Sequence, residues 1–274
     1  MVIKLKGKNQ IKKFKRVAER LASKIASYED VAGIILIGGL VRGFTDNFSD
    51  VDITAFLSKK DARLRRKIRN LGLDEEKRLG IDIDLEIHFL EDFKRWKWNE
   101  TDRWDFSKAK IVFDREGEIK KVFREKLRVP KYFWIKRVVV YAEYLKWYCC
   151  PPREDVGTVA EAWIDRGDLV SAHYCLTYSV DLMLKIIFAL NKEFLPPQKW
   201  RIHYSQTLKW LPTDYMKLLR EAIIIKELST RDFQRRLKAL RKMWRDIVPK
   251  IKEETGLTID LISRYYVEKV LHQT

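Results

Sequence analysis

Every stretch of this chain that alternates like a β-strand lies before Val129-Pro130, and beyond that dipeptide the apolar residues recur only at helical spacing. The most restrictive stretch is 81–89, where Ile81, Ile83, Leu85, Ile87 and Phe89 share one face and Asp82, Asp84, Glu86 and His88 the other. That pattern predicts a half-buried strand with an acidic open face. Residues 31–37 form a nearly continuous apolar run that stops at Gly38-Gly39, as a buried strand does. Residues 50–57 (DVDITAFL) are rich in β-branched side chains, and 109–113 (AKIVF) suit a short last strand. Helices are expected over 10–28, where Ile11, Phe14, Val17, Leu21 and Ile25 recur at three and four residues, and over 59–70 and 115–127. Residues 40–49 read as a loop.

Past Pro130 the pattern predicts helices over 131–149, 154–165, 168–191, 213–228, 230–253 and 258–271, separated by Pro151-Pro152, Pro196-Pro197, Pro212 and Gly256. The expected fold class is therefore α+β: a small mixed-sheet domain over 1–130, then an all-α helical bundle over 131–274. There is no internal repeat or low-complexity tract.

The 274 residues carry 56 Lys plus Arg against 39 Asp plus Glu, a net charge of +17. The excess is shared almost evenly between the two halves and forms no basic tail, which favours small anionic partners such as nucleotide phosphates over a dedicated nucleic-acid interface. Arg63, Arg65, Arg66, Lys67 and Arg69 read as the solvated face of a helix. Three cysteines, two of them adjacent (Cys149, Cys150, Cys175), make neither a disulfide framework nor a zinc site, so a reducing, cytoplasmic setting is expected. The longest apolar stretch contains His173, Asp181 and Lys185, so it is read as a buried helix of a soluble protein, with no membrane partner. Asn and Gln total ten, a composition that leans toward a thermophile. Trp96, Trp98 and Trp104 are read as packing residues.

The chemistry concentrates in the segment GGLVRGFTDNFSDVDI, residues 38–53. Adjacent glycines after a buried strand let main-chain N–H groups approach phosphate oxygens, because no Cβ intervenes. Asp50 and Asp52 lie two apart on a strand, so their carboxylates project from one face. Side by side they repel unless a cation lies between them, and divalent magnesium or manganese suits such oxygen donors. The acidic strand can supply a third ligand from Asp82, Asp84 or Glu86. Asp84 is preferred as the central one, with Glu86 second.

A glycine pair after a strand, ten residues, then Asp-x-Asp resembles the nucleotidyltransferase superfamily that includes DNA polymerase β. More narrowly, the segment is similar to the GS-x-x-R…SD-x-[DE] stretch of kanamycin-type aminoglycoside nucleotidyltransferases and of minimal nucleotidyltransferases. Residues 189–200 (ALNKEFLPPQKW) are similar to a segment in the helical domains of prokaryotic relatives. The resemblance implies that Gly38 and Gly39 hold a nucleoside triphosphate, that Asp50 and Asp52 bind metal, and that Arg42 and Ser49 match positions that contact phosphates; Asp84 is taken as the third metal ligand on its place in the acidic strand. One departure is Gly39, where relatives commonly carry a serine. The resemblance also implies a catalytic base from the helical domain, for which Glu143, Glu161 and Asp181 stand as alternatives. The expected activity is transfer of a nucleoside monophosphate to an acceptor hydroxyl on a small molecule, at a site between the two domains. A protein or RNA-end acceptor, or a non-catalytic nucleotide-binding, antitoxin-like module, are the alternatives.

Overall fold

The computed structural model describes residues 5–153 and 155–270. Contacts divide them into two compact units, 5–129 and 130–270.

The first unit opens with α1 (Ile11–Ala26), whose Phe14, Val17, Leu21 and Ile25 are buried as their spacing requires. The chain continues through β1 (Val31–Leu36), α2 (Gly38–Arg42), β2 (Val51–Leu57), α3 (Ala62–Leu79) and β3 (Ile83–Phe89). It then passes through α4 (Leu90–Arg95), α5 (Glu100–Lys108), β4 (Lys110–Asp114) and α6 (Glu118–Leu127). The strands form one mixed sheet in the order β3-β2-β1-β4. β1 runs antiparallel to both β2 and β4, whereas β2 and β3 are parallel and α3 makes the crossover between them. One face of the sheet packs on α1 and α3 through residues such as Leu21, Ile34, Ile53 and Ile68. The other face carries Ile35 and Phe56 into an aromatic-rich cluster with Phe93, Trp98, Phe106 and Phe123. This is a three-layer α+β unit.

Three sequence expectations need correction here. The helix expected over 59–70 begins at Ala62, capped by Asp61, and runs on to Leu79. It does not stop at Asn70 because Gly72 lets it lie close on β3: a Cβ there would stand 2.9 Å from Leu85 Cδ2. The glycines at 38 and 39 open a one-turn helix where a plain loop is expected. Residues 90–108, with no sequence assignment, hold α4 and α5, the latter closed by a capping box between Asn99 and Asp102.

The second unit comprises α7 (Lys131–Tyr148), α8 (Val159–Asp165), α9 (Leu169–Leu190), α10 (Gln198–Ser205), α11 (Tyr215–Ile223), α12 (Thr230–Thr255) and α13 (Ile259–Lys269). α9 lies at its centre, in contact with α7, α8, α10, α11 and α12. By length and composition α9 could cross a membrane, but two thirds of its apolar window is buried inside the unit. The helix expected over 154–165 starts only at Val159, where Thr158 and Glu161 form a capping box, and its first residue lies outside the described residues. The expected end at 271 also lies outside them. The helix expected over 213–228 is shorter, and 230–253 continues to Thr255 through Pro249. α10 has no counterpart among the sequence expectations. The three cysteines are buried and free.

Candidate active site

The site is built where β1 hands over to α2 and meets the starts of β2 and β3. Ile37 leaves β1 extended, and its N–H donates to the Asp52 carbonyl at 3.3 Å. Gly38 then adopts a left-handed φ of +67°, and a Cβ there would stand 1.5 Å from Asp52 Oδ2. Only glycine allows the turn and the Asp52 carboxylate to occupy neighbouring space. Gly39 sits against the Phe44 carbonyl, 2.8 Å from where its own Cβ would be, and its carbonyl accepts from the Gly43 N–H. Both glycines therefore have packing reasons to be glycine.

The parallel register of β2 with β3 sets Asp52 opposite Asp84 and Thr54 opposite Glu86. Asp50 stands one residue ahead of β2, in a segment held to β3 by the Val51 N–H donating to the Asp82 carbonyl at 2.9 Å. As a result one carboxylate oxygen from each of Asp50, Asp52 and Asp84 lies within 4.8 Å of the others. Asp50 and Asp84 are exposed and Asp52 is half-buried.

At that separation each ionised pair repels by a few kcal/mol in a partly buried site. Burial pushes the Asp52 carboxyl up to about 6; the Asp50 charge adds to the rise, Arg42 opposes it, and Asp84 and Asp105 add again. Asp84 is raised too, by burial first and then by Glu86 and Asp50. Among the described residues none of the three takes part in an ion pair within 4 Å. Three convergent hard oxygen donors with no intervening lysine or arginine fit a divalent cation of the magnesium or manganese kind.

The other expected site residues fall into place around this group or away from it. The Arg42 guanidinium lies 5.3 Å from the Trp104 ring centroid and donates to Asp105 Oδ1 at 3.4 Å. Its side chain is mostly buried, and its charge acts on Asp52. Asp46, close to Arg42 in sequence, accepts instead from the Phe48 N–H and the Ser49 hydroxyl. Ser49 Oγ also accepts from the Asp46 N–H at 2.9 Å, so Ser49 closes the turn leading into Asp50. Glu86 is outside the carboxylate group, two pleats along β3, where the His88 ring nitrogen holds it at 3.0 Å and below the usual carboxylate range. Asp82 is exposed and contributes its backbone only.

Asp105 and Trp104 are missed from sequence, because they lie more than sixty residues from the Arg42 they hold. The signal available was the Asn99-x-x-Asp102 capping pattern, which places a helix across both. Trp98 and Trp104 are core residues; Trp96 is partly exposed and packs against His88 and Phe106.

The three carboxylates considered as a base from the helical half are all engaged within their own unit. Glu143 pairs with Lys146 at 2.9 Å and accepts from the Ser263 hydroxyl. Glu161 caps α8 and pairs with Arg241 at 2.8 Å; burial raises its carboxyl, but the Arg241 and Thr158 bonds outweigh that and hold it low. Asp181 pairs with both Lys185 and Arg201. Each of the three is thus held by side chains from elsewhere in the helical unit, Ser263, Arg241 and Arg201 respectively.

No protein-family model and no curated protein matches the chain. A solved structure similar to it, described as a nucleotidyltransferase-like protein from Exiguobacterium sibiricum 255-15, is 13% identical, with a TM-score of 0.43 over 88% of this chain and 77% of that one. A likeness at that level decides nothing about chemistry. What the chain does must be argued from its own carboxylates.

Proposed function

We propose that the chain is a divalent-metal-dependent nucleotidyltransferase of the DNA polymerase β type, moving a nucleoside monophosphate from a nucleoside triphosphate to an acceptor hydroxyl. The carrying observation is the convergence of Asp50, Asp52 and Asp84 beside a Gly38 turn that admits no side chain. These three residues would hold magnesium or manganese, which when bound neutralises triphosphate charge and acidifies the acceptor hydroxyl. Arg42, kept in place by Trp104 and Asp105, would offer its guanidinium to the phosphates. The backbone N–H groups at the start of α2, at Gly38 and Gly39, would add to that cradle.

In the reaction the acceptor oxygen bonds to the α-phosphorus, the bond from that phosphorus to the bridging oxygen breaks, and pyrophosphate departs. The acceptor proton passes to one of the three carboxylates. The protein's share is positioning and electrostatics. The distribution of basic residues along the whole chain supports a small-molecule acceptor over a nucleic-acid end.

The test is to incubate the purified chain with each α-radiolabelled nucleoside triphosphate, magnesium or manganese, and pooled hydroxyl acceptors, alongside calorimetric titration of metal-nucleotide. Label transfer with pyrophosphate release is expected, and Asp50→Asn or Asp84→Asn should abolish it while weakening metal-nucleotide binding. Unchanged binding in both variants, with transfer persisting, would reject the assignment. Binding without any transfer would favour the nucleotide-sensing module.

A further inference from the structure

The helical unit carries a partly open pocket of about 250 Å³, lined by residues of that unit. Val180 and Leu184 of α9, Ile202 of α10 and Ile223 of α11 give it apolar walls. His173, Arg201 and Arg236 also line it, together with Asp181, whose carboxylate is held by Lys185 and Arg201.

Arg236 is unusual among them. It is completely buried, and among the described residues no carboxylate oxygen lies within 4 Å of it: Asp232 one turn earlier pairs with Arg235 at 2.8 Å, and its charge reaches Arg236 only from farther off. Its Nε donates to the Ala222 carbonyl at 2.8 Å, its Nη1 contacts His173 Nδ1 at 3.0 Å, and its Nη2 has no partner. A guanidinium has no lone pair to offer, so His173 Nδ1 must be the acceptor in that contact. The neutral ring then carries its hydrogen on Nε2. Burial first, and the Arg236 charge second, keep His173 below its usual range and so in that neutral form at physiological pH. Arg201 adds a second guanidinium, whose charge is already shared with Asp181. The result is a small, partly open pocket with apolar walls, lined by an imidazole N–H donor and by a buried guanidinium that has no direct ion pair and one unsatisfied N–H group. A buried donor left unsatisfied is costly, and an anion delivered to the pocket offsets that cost.

We propose that this cavity binds a small carboxylate with a compact apolar body. The carboxylate accepts from His173 Nε2–H with Arg236 as counter-charge, and the apolar body packs among Val180, Leu184, Ile202 and Ile223. A single carboxylate charge answers a single unpaired guanidinium. An inorganic phosphate dianion would bring more charge and acceptors than these walls satisfy, and it has no apolar part to bury. The proposal stands independently of the transfer reaction.

The experiment is calorimetric titration of the full chain with benzoate, benzamide and inorganic phosphate as probes. Benzoate should bind, with benzamide about tenfold weaker because a hydrogen bond to a charged acceptor exceeds a neutral one by that order, and phosphate at least about tenfold weaker because it has no apolar body to bury. Ile202→Trp, at a position 41% exposed on the rim, should fill the mouth and remove benzoate binding without changing the unfolding midpoint. His173→Phe keeps the ring but not the donor, and should weaken benzoate about tenfold. The proposal is overturned if benzoate fails to bind at low-millimolar concentration, if benzamide or phosphate binds as tightly, or if Ile202→Trp leaves benzoate affinity intact.

Discussion

Two carboxylate sites in the first unit face opposite electrostatic surroundings. Glu75 on α3 is almost completely buried, but Lys24 and Arg20 reach it at 2.8 Å and Arg78 also pairs with it. The Lys24 hydrogen bond first, and Arg78 next, pull its carboxyl down to about 2. Asp52 is half-buried with no cation in contact among the described residues; burial first and then the Asp50 charge raise its carboxyl to about 6, against the opposing charge of Arg42. Burial alone therefore does not mark a functional acid. Glu75 is a finished structural tie among four side chains, whereas Asp52 belongs to a group of carboxylates with no cation in contact, of a kind a divalent metal fits.

That contrast can be broken most forcefully at Asp52. Asp52→Asn should lower transfer by about 10³-fold, the scale of removing one preorganised charge-stabilising group, while leaving the metal-free chain as stable as before or more so. Transfer rates and urea midpoints in chelator check the two halves of that statement. Next in size is Gly38→Ala, which pushes a methyl into the Asp52 carboxylate at a left-handed φ and should cost about 3 kcal/mol of stability by chemical denaturation. Glu75→Gln should cost about 2 kcal/mol, since it weakens charge-assisted hydrogen bonds in a buried setting, and it should leave transfer kinetics unchanged.

The pH dependence of stability sharpens the comparison further, because the two groups slope in opposite directions. Asp52 has an ordinary value of 3.8 and a folded value of about 6; between them the folded chain keeps a proton that the unfolded chain has lost, so stability falls as pH rises through that window. Glu75 has an ordinary value of 4.5 and a folded value of about 2, so its contribution is complete above 4.5 and is lost as pH falls toward 2. Urea midpoints measured against pH in chelator should show the higher-pH decline flattened in Asp52→Asn and the lower-pH loss flattened in Glu75→Gln. Magnesium should remove the decline in the wild-type chain by keeping Asp52 ionised at no cost.

Much of this site was legible one strand at a time. The strict alternation over 81–89 put Asp84 and Glu86 on the open face, and the spacing of Asp50 and Asp52 aimed them the same way. Choosing Asp84 over Glu86 as the nearer neighbour depends on the β2–β3 register, a pairing between strands that neither strand encodes alone. Arg42 shows the same limit: its helical turn is local, but Asp105 and Trp104 reach it only through the folding of α5. α3 outran its expected end because Gly72, ordinarily a helix weakener, is fixed by close packing on Leu85. In the helical half the apolar spacing located most helices, but the cations that occupy Glu143, Glu161 and Asp181 come from positions no periodicity relates to them.

β3 is also an outer strand of its sheet, with β2 on one side only. An outer strand leaves a row of backbone donors and acceptors ready to pair with another chain. Asp84 and Glu86 stud that strand with negative charge, so a second copy approaching edge to edge would set carboxylate against carboxylate at the spacing of paired strands. The negative charge on this strand thus opposes edge-to-edge pairing of two copies. Replacing both residues with neutral ones to study the site would expose a bare edge, and aggregation would then be a cost separate from any loss of activity.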